Sequence, residues 1–403
     1  MVQFPDIDLA NPDSFTAGVP HAWFARLRRE APVYWHPEAD GPGFWVLTRY
    51  EDVRHVSRHP RLFSSFAGGT NLHDLDATGL AKVRAIMLNM DPPQHVKFRR
   101  TVQRAFTPRA VEAMRPHVRD LTRALVDQVA HKGECDFVQD LAAELPLQVI
   151  CEMMGVPQEE RFHIFELSNR LIGFDDPDYQ SSPEDAEVAA AQIFAYAMGL
   201  ARERRARPGD DLVSRLLASQ VDGHGLSELE FSSFFMLLAI AGNETTRTVT
   251  CWGMHALIEH PDQRERVQRS PSLVATAVEE VLRFAPAVHH FRRTATEDTE
   301  IRGQRIRAGD KVSMWYPAAN RDEEMFEAPD RFDVGHWPNN HLAFGVGEHF
   351  CLGAHLARVE LQEILREIVT RLPDMELVRP PRRLRSNFVN GCKEMRVRFT
   401  PET

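Results

Sequence analysis

Apolar residues recur at intervals of three and four over residues 21–29, 109–130, 145–154, 187–205, 227–259, 272–284 and 354–371, which predicts amphipathic helices there. Alternating or β-rich stretches are short and few: 43–48, a pair around Gly303 within 300–315, and 395–399. The pattern predicts a mainly α fold with a minor β portion. Pro/Gly clusters at 37–43 and 175–183 are brief and flanked by patterned sequence, so they read as turns rather than linkers. Length alone would allow two or three domains, yet no place to cut appears, and residues 1–403 are expected to form a single domain.

The 227–259 segment is the most informative. Ser227 and Glu230 fit a capping box and His260-Pro261 supplies a stop. The helix between them has roughly thirty residues and runs about 45–50 Å. Its centre breaks the pattern, because FFMLLAIAG at 234–242 runs straight into Asn243-Glu244-Thr245-Thr246-Arg247. Either the helix emerges to solvent after Ala241, or something in the core there requires polarity. Gly242 costs ~1 kcal/mol relative to Ala, and Thr245 or Thr246 is able to bond a carbonyl one turn earlier and bend the helix. Small residues beside hydroxyls and a carboxylate would make a notch.

Composition narrows the partners. A formal net charge of -10 argues against nucleic acid, whose phosphates call for clustered Lys and Arg. Lys97, Arg99, Arg100, Arg104 and Arg109 nevertheless form a local basic group. The five cysteines are scattered, without CxxC or zinc-like spacing, which fits reduced thiols of a cytosol. The start lacks the basic and apolar regions of a signal peptide. The longest apolar run, 234–242, is about half the ~20 residues that span a bilayer. A cytoplasmic protein with no transmembrane anchor is expected.

One stretch carries candidate chemistry. FGVGEHFCLG, residues 344–353, precedes an Ala-rich amphipathic helix, so Cys351 falls in a glycine-rich loop just ahead of a helix N-terminus. Backbone N–H groups and the helix dipole there favour thiolate over thiol, and glycines let the main chain press close to a flat partner. An isolated cysteine is more often an inert buried thiol. The whole pattern, however, resembles the haem-binding signature F-G-x-G-x-H-x-C-x-G of the cytochrome P450 superfamily at every specified position. A chance match in a chain this long has a probability on the order of 10⁻⁶.

The resemblance implies the cytochrome P450 fold, with a long central helix over the haem and the cysteine loop beneath it, and haem b (Fe-protoporphyrin IX) as cofactor. It makes Cys351 the axial thiolate ligand of the iron, sets Phe344 near the sulfur and His349 at a haem propionate, and includes Gly353 in the cofactor-binding loop. Glu280-Val-Leu-Arg283 matches the E-x-x-R motif, which in the family joins a third residue, here Arg331 of Pro329-Asp-Arg-Phe332, to lock the loop under the haem. His95-Val-Lys-Phe-Arg99 matches an H-x-x-x-R stretch that binds propionates, and Arg293, adjacent to Arg292, matches a further partner. Cations suit these roles because carboxylates near a low-dielectric pocket need charged hydrogen bonds. Residues 241–246 match the oxygen-activation motif: Thr245 hydrogen-bonds the dioxygen being activated and Glu244 relays protons toward it.

By this resemblance the chain is a monooxygenase that inserts one oxygen atom of O2 into a C–H bond of a hydrophobic small molecule. The wording of 241–247, 171–178 and 87–92 is similar to an actinobacterial branch acting on terminal carbons of methyl-branched lipids and sterol side chains; a terpenoid is a further candidate. Pocket candidates are Ala241, the stretch Ala287 to His290 with Val288 and His289 in it, and the loop from 66 to 87. His289 and His290 depart from that branch, and three readings stay open: iron ligation, contact with a polar substrate group, or an outward orientation. No flavin or iron–sulfur motif is present, so reducing equivalents are expected from NAD(P)H through a ferredoxin reductase and a ferredoxin. A peroxide-driven peroxygenase and a non-catalytic haem sensor are the alternatives.

Overall fold

The computed structural model describes residues 3–39, 41–180, 182 and 184–402. The helices expected from apolar spacing form as His21–Glu30, Pro108–Ala130, Glu144–Met154, Asp185–Ala206, Glu228–Glu259, Val274–Phe284 and Ala354–Arg371. Local chemistry sets their ends. Thr107 caps the second through Ala110 N, with Pro108 in the first turn, where its missing N–H costs nothing. Ser227 and Glu230 close both halves of the capping box, at 2.8 Å for Ser227 N to Glu230 Oε2 and 3.2 Å for the return bond. Helices Tyr50–Arg58, Gln94–Val102 and Arg161–Ile172 also form.

Glu228–Glu259 runs through the centre of the largest hydrophobic cluster and packs against Glu144–Met154, Asp185–Ala206, Val274–Phe284 and Ala354–Arg371. Its polar middle does not emerge to solvent: Asn243, Glu244, Thr246 and Arg247 are all buried. Ala241 is the exception, exposed at mid-helix because it faces an internal cavity.

The main sheet is mixed and five-stranded, ordered Val33–His36, Phe44–Leu47, Lys311–Trp315, His290–Ala295, Phe63–Ser64. Lys311–Trp315 lies parallel to Phe44–Leu47 and antiparallel to His290–Ala295, with Val312 opposite Trp45 on one side and Arg293 on the other. The 300–315 stretch thus divides. Thr299–Ile301 and Gln304–Ile306 make a separate hairpin turned by Gly303 at φ 78, while the last strand joins the main sheet. The C-terminal stretch forms as Arg396–Arg398, paired with Glu134–Asp136 and Glu376–Leu377. Period-two alternation along His290–Ala295 sends Phe291 and Arg293 toward the cavity and His290 and Arg292 to the other side.

Candidate active site

The segment that carries Cys351 is held as a fixed loop. Leu342 N donates to Asn320 Oδ1 at 2.7 Å, Gly345 N to Leu342 O at 2.9 Å, and Cys351 N to Phe344 O at 2.9 Å. Gly347 adopts φ 80, and a Cβ there would stand 2.7 Å from the carbonyl oxygen of Ser57, so both conformation and contact require glycine. Nothing lies within 4 Å of where a Cβ on Gly353 would project, and Gly353 faces the cavity.

That cavity contains about 1560 Å³ of empty space, its mouth included. The space is lined mainly by apolar side chains, with its polar and charged groups gathered at a few points. Cys351, Phe344, His349, Gly353, His95, Arg99, Arg293, Ala241, Thr245 and Val288 all line it. The sequence-predicted residues are therefore brought together from the central helix, the cysteine loop, the Gln94–Val102 helix and the His290–Ala295 strand.

One group of lining residues forms a cationic cradle without an anion. The rings of His95 and His349 lie 4.0 Å apart, and His95 Nδ1 and His349 Nε2 are buried without hydrogen-bond partners. Arg293 donates only to the carbonyl of Arg292, at 2.8 Å, and Arg99 has no side-chain bond among the described residues. Burial, aided by the two arginines, lowers the His95 pKa to about 4 and that of His349 to about 2. Burial also lowers the pKa values of Arg99 and Arg293. Unpaired buried donors and charges are costly, and the two carboxylates of a haem would satisfy this set.

Cys351 corrects one expectation. The N–H of Gly353 does favour the thiolate, as do Arg99 and Arg358, but burial outweighs them and raises the thiol pKa. The helix terminus alone does not ionise this sulfur; a bound metal cation is the group that would.

Other expected site residues are placed differently. His289 does not line the cavity. It stacks on Phe15 at 4.8 Å, with Nδ1 3.2 Å from the carbonyl of Asn387, and burial lowers its pKa to about 3. His290 packs on Trp315 at 4.6 Å, equally buried, so both imidazoles belong to the protein interior behind the strand. Arg292 likewise turns away, onto Asp74 at 2.7 Å. Glu244 lies outside the lining: it is buried in an ion pair with Arg247, which also donates to Asn169 at 2.9 Å. Thr245 does face the cavity, and its hydroxyl donates to Ala241 O at 2.8 Å. At Gly242 the missing side chain makes room for Ile150, whose Cγ1 would stand 2.8 Å from a Cβ, so the open notch is at Ala241.

Glu280 and Arg283 are both 0% exposed and joined by two 2.8 Å bonds. Arg283 also donates to the carbonyls of Asn320, Pro329 and Arg331 at 3.0, 2.7 and 3.0 Å. The third partner is not the Arg331 side chain, which is 67% exposed. Glu280 instead accepts from Asn339 Nδ2 at 3.0 Å and Asp333 N at 2.9 Å, with His336 Nδ1 at 3.2 Å. Only the carbonyl of Arg331 takes part.

Three features had no expectation attached. Arg358 stacks 4.5 Å over Phe344 and binds Glu279 through two bonds of 2.6 and 2.8 Å. Although burial raises the Glu279 pKa, Arg358 and His341 pull it down to about 2. Glu360, one helix face from the loop, lines the cavity with Thr246 as its hydrogen-bond partner, and burial pushes its carboxyl up to about 8. The i,i+4 and i,i+7 positions from Ala354 and Gly353 marked Arg358 and Glu360 as helix-face polar residues, but nothing in the spacing distinguished them from solvated ones.

A cysteine that faces the same cavity as an anion-deficient cationic cradle is the arrangement a haem-thiolate site requires. The cytochrome P450 profile matches residues 20–270 and 271–391. The chain is 41% identical to the steroid C26-monooxygenase of Rhodococcus jostii (strain RHA1), over 97% of this chain and 84% of that one. It is 42% identical to the methyl-branched lipid omega-hydroxylase of Mycobacterium bovis (strain ATCC BAA-935 / AF2122/97), over 99% and 96%. To the linalool 8-monooxygenase of Pseudomonas putida it is 39% identical, over 98% and 99%. A Mycobacterium marinum cytochrome P450 solved in complex with pseudoionone superposes with a TM-score of 0.92 at 37% identity, covering 99% of this chain and 100% of that one. The chain belongs to the cytochrome P450 family and is a haem-thiolate monooxygenase.

Proposed function

We propose that this monooxygenase hydroxylates a branched hydrocarbon substrate, of the lipid, sterol side-chain or terpenoid kind that its relatives' names describe. It is read as one catalytic domain of the cytoplasm; no helix among the described residues is long and apolar enough to cross a membrane. The observation that carries the substrate reading is the apolar remainder of the cavity wall, Met87, Leu88, Leu237, Leu238, Ala287 and Val288, gathered around Ala241 and Thr245.

Haem iron held by the sulfur of Cys351 supplies the activation of dioxygen and the oxidation of the C–H bond. The chain supplies the rest. His95, Arg99, Arg293 and His349 hold the propionates and thereby fix the cofactor's orientation. Phe344, pinned by Arg358, packs beside the sulfur. The Thr245 hydroxyl, with Ala241 O as its resting acceptor, holds a proton at a polar point of the otherwise apolar wall beside Ala241. Glu244 serves this hydroxyl as proton relay only after its carboxylate leaves Arg247, because the ion pair holds it outside the cavity.

Electrons come from NAD(P)H through a ferredoxin reductase and a ferredoxin. Arg100, Arg104 and Arg109 are exposed and form no ion pair among the described residues, whereas Lys97 is tied to Asp222 at 2.7 Å and Arg99 turns into the cavity. Two experiments test the reading. The reduced, carbon-monoxide-treated holoprotein is expected to show the displaced Soret band of thiolate ligation, and a ferredoxin/reductase system is expected to yield a mono-hydroxylated branched substrate. Product formation with peroxide alone, at a rate matching the reconstituted system, would instead favour the peroxygenase.

A further inference from the structure

The cavity wall states what charge its second occupant carries, and this inference rests on the haem-thiolate reading above. Among the described residues, the cationic and imidazole side chains that line the cavity are His95, Arg99, Arg293 and His349. They form one cradle, and the two propionates consume it. The wall left for substrate is Met87, Leu88, Leu237, Leu238, Ala287 and Val288, with no cation among them. The hydroxyls on the cavity wall carry no charge: Thr245 bonds Ala241 O and Thr246 bonds Glu360, and Ser57 and Tyr316 also line the space.

One further group in the same cavity shows what an added anion would meet. Glu360 serves as an internal probe: it lines the same space, forms no ion pair among the described residues, and is kept protonated to about pH 8 by burial. A carboxyl that belongs to the protein and has a hydroxyl partner still fails to ionise there near neutrality. A bound carboxylate without even that partner faces the same desolvation cost.

We propose that the substrate is uncharged over the whole length it buries: a branched terpenoid- or sterol-type hydrocarbon carrying at most a hydroxyl, ketone or ester, and not a free carboxylate. A hydroxyl or carbonyl oxygen is tolerated because losing its water costs far less than stripping a carboxylate. The inference separates substrates that the apolar wall alone would treat as equals.

The test uses the haem-loaded protein and a matched ten-carbon branched series, geraniol, methyl geranate and geranic acid, short enough to be buried entirely. Binding is read from the Soret shift at about pH 7.5 and at about pH 5, bracketing the upper end of ordinary carboxylic acid titration. Geraniol and the ester are expected to bind with pH-independent affinity. Geranic acid is expected to bind at least tenfold more weakly at the higher pH, recovering as it becomes protonated at the lower. Acid binding as tight as that of the alcohol at the higher pH overturns the proposal. So does the absence of a shift from every uncharged member of this series and of a parallel set of branched alkanes and cholest-4-en-3-one. The carbon-monoxide band of the same sample keeps the two readings apart: a normal band with either adverse outcome removes only the charge assignment, whereas loss of the band removes the haem-thiolate reading itself.

Discussion

Thr245 and Glu360 are the two protic side chains whose behaviour the surrounding residues define most narrowly. Thr245→Ala removes the hydroxyl that faces the cavity beside Ala241 without touching the cradle or Cys351. Haem content and the carbon-monoxide band should stay at wild-type levels, while the fraction of NAD(P)H converted to product falls, by about tenfold or more if the hydroxyl contributes as a proton-transfer group, and peroxide appears instead. Equal coupling in the two proteins would remove the role assigned to Thr245. Glu360 makes a stability prediction. Its pKa is about 8 in the fold against an ordinary 4.5. Between those values the unfolded chain is ionised and the native chain is not, so the unfolded state binds fewer protons and stability falls as pH rises. The full effect is on the order of 5 kcal/mol. Glu360→Gln should therefore melt higher than wild type at about pH 8 and nearly with it at about pH 5; identical melting curves at both would show that Glu360 ionises freely. Neither the burial of Glu360 nor the turn of Glu244 onto Arg247 was legible in the sequence. Both lie in helices whose outward and inward faces the apolar pattern places only approximately, and a carboxylate in the motif position reads the same whether it faces a cavity or an arginine. Cys351 and His349, and His95 with Arg99, were legible because fixed spacing within two short motifs, not periodicity, marked them, and Arg293 was marked only by resemblance, beside Arg292.

Helices were read well where one apolar stripe runs for several turns, as in Glu228–Glu259 and Ala354–Arg371, and poorly where charges crowd a short segment, as in Gln94–Val102. His290–Ala295 escaped for a different reason. All but one of its residues are buried, with arginines and a histidine on both faces, so no polar/apolar alternation remains to be seen. The locking element under the site shows what such blindness costs. The sequence motif points to Glu280, Arg283 and Arg331 alike, yet burial assigns them unequal weight. Arg283→Lys keeps the charge but loses the two-point match to Glu280 and the fork that reaches three carbonyls. Weakening this buried pair and leaving carbonyls that Arg283 had served unpaired costs about 1–3 kcal/mol for each unsatisfied group, so this variant should lose haem and soluble yield. Arg331→Ala deletes an exposed side chain and leaves its carbonyl in place, so its stability should lie within about 0.5 kcal/mol of wild type. Thermal melts and haem content of the two variants check this, and a matching defect in both would return the Arg331 side chain to the lock.

Across the whole molecule the charge is uneven in a way that matters for electron delivery. The chain carries a formal net charge of -10, yet Arg100, Arg104 and Arg109 stand exposed without ion-pair partners among the described residues, on or just after the helix whose His95 stacks on His349 of the cysteine loop. Phe350, next to Cys351, is 37% exposed. Unpaired basic side chains thus lie on and just after a helix that touches the Cys351 loop, within a chain of net negative charge. The acidic ferredoxin proposed above as electron donor would be steered to these arginines, and steering of this kind weakens steeply with salt. Reversing Arg104 and Arg109 to Glu leaves Arg99 and His95 in the cradle untouched, so haem content and the Soret response to substrate should be unchanged. The second-order rate of reduction by ferredoxin should fall about tenfold or more at low ionic strength, and the difference from wild type should close as salt screens charges beyond about 10 Å at 0.1 M. A rate and salt dependence equal to wild type would place electron entry elsewhere on the surface, with the ligand loop still intact.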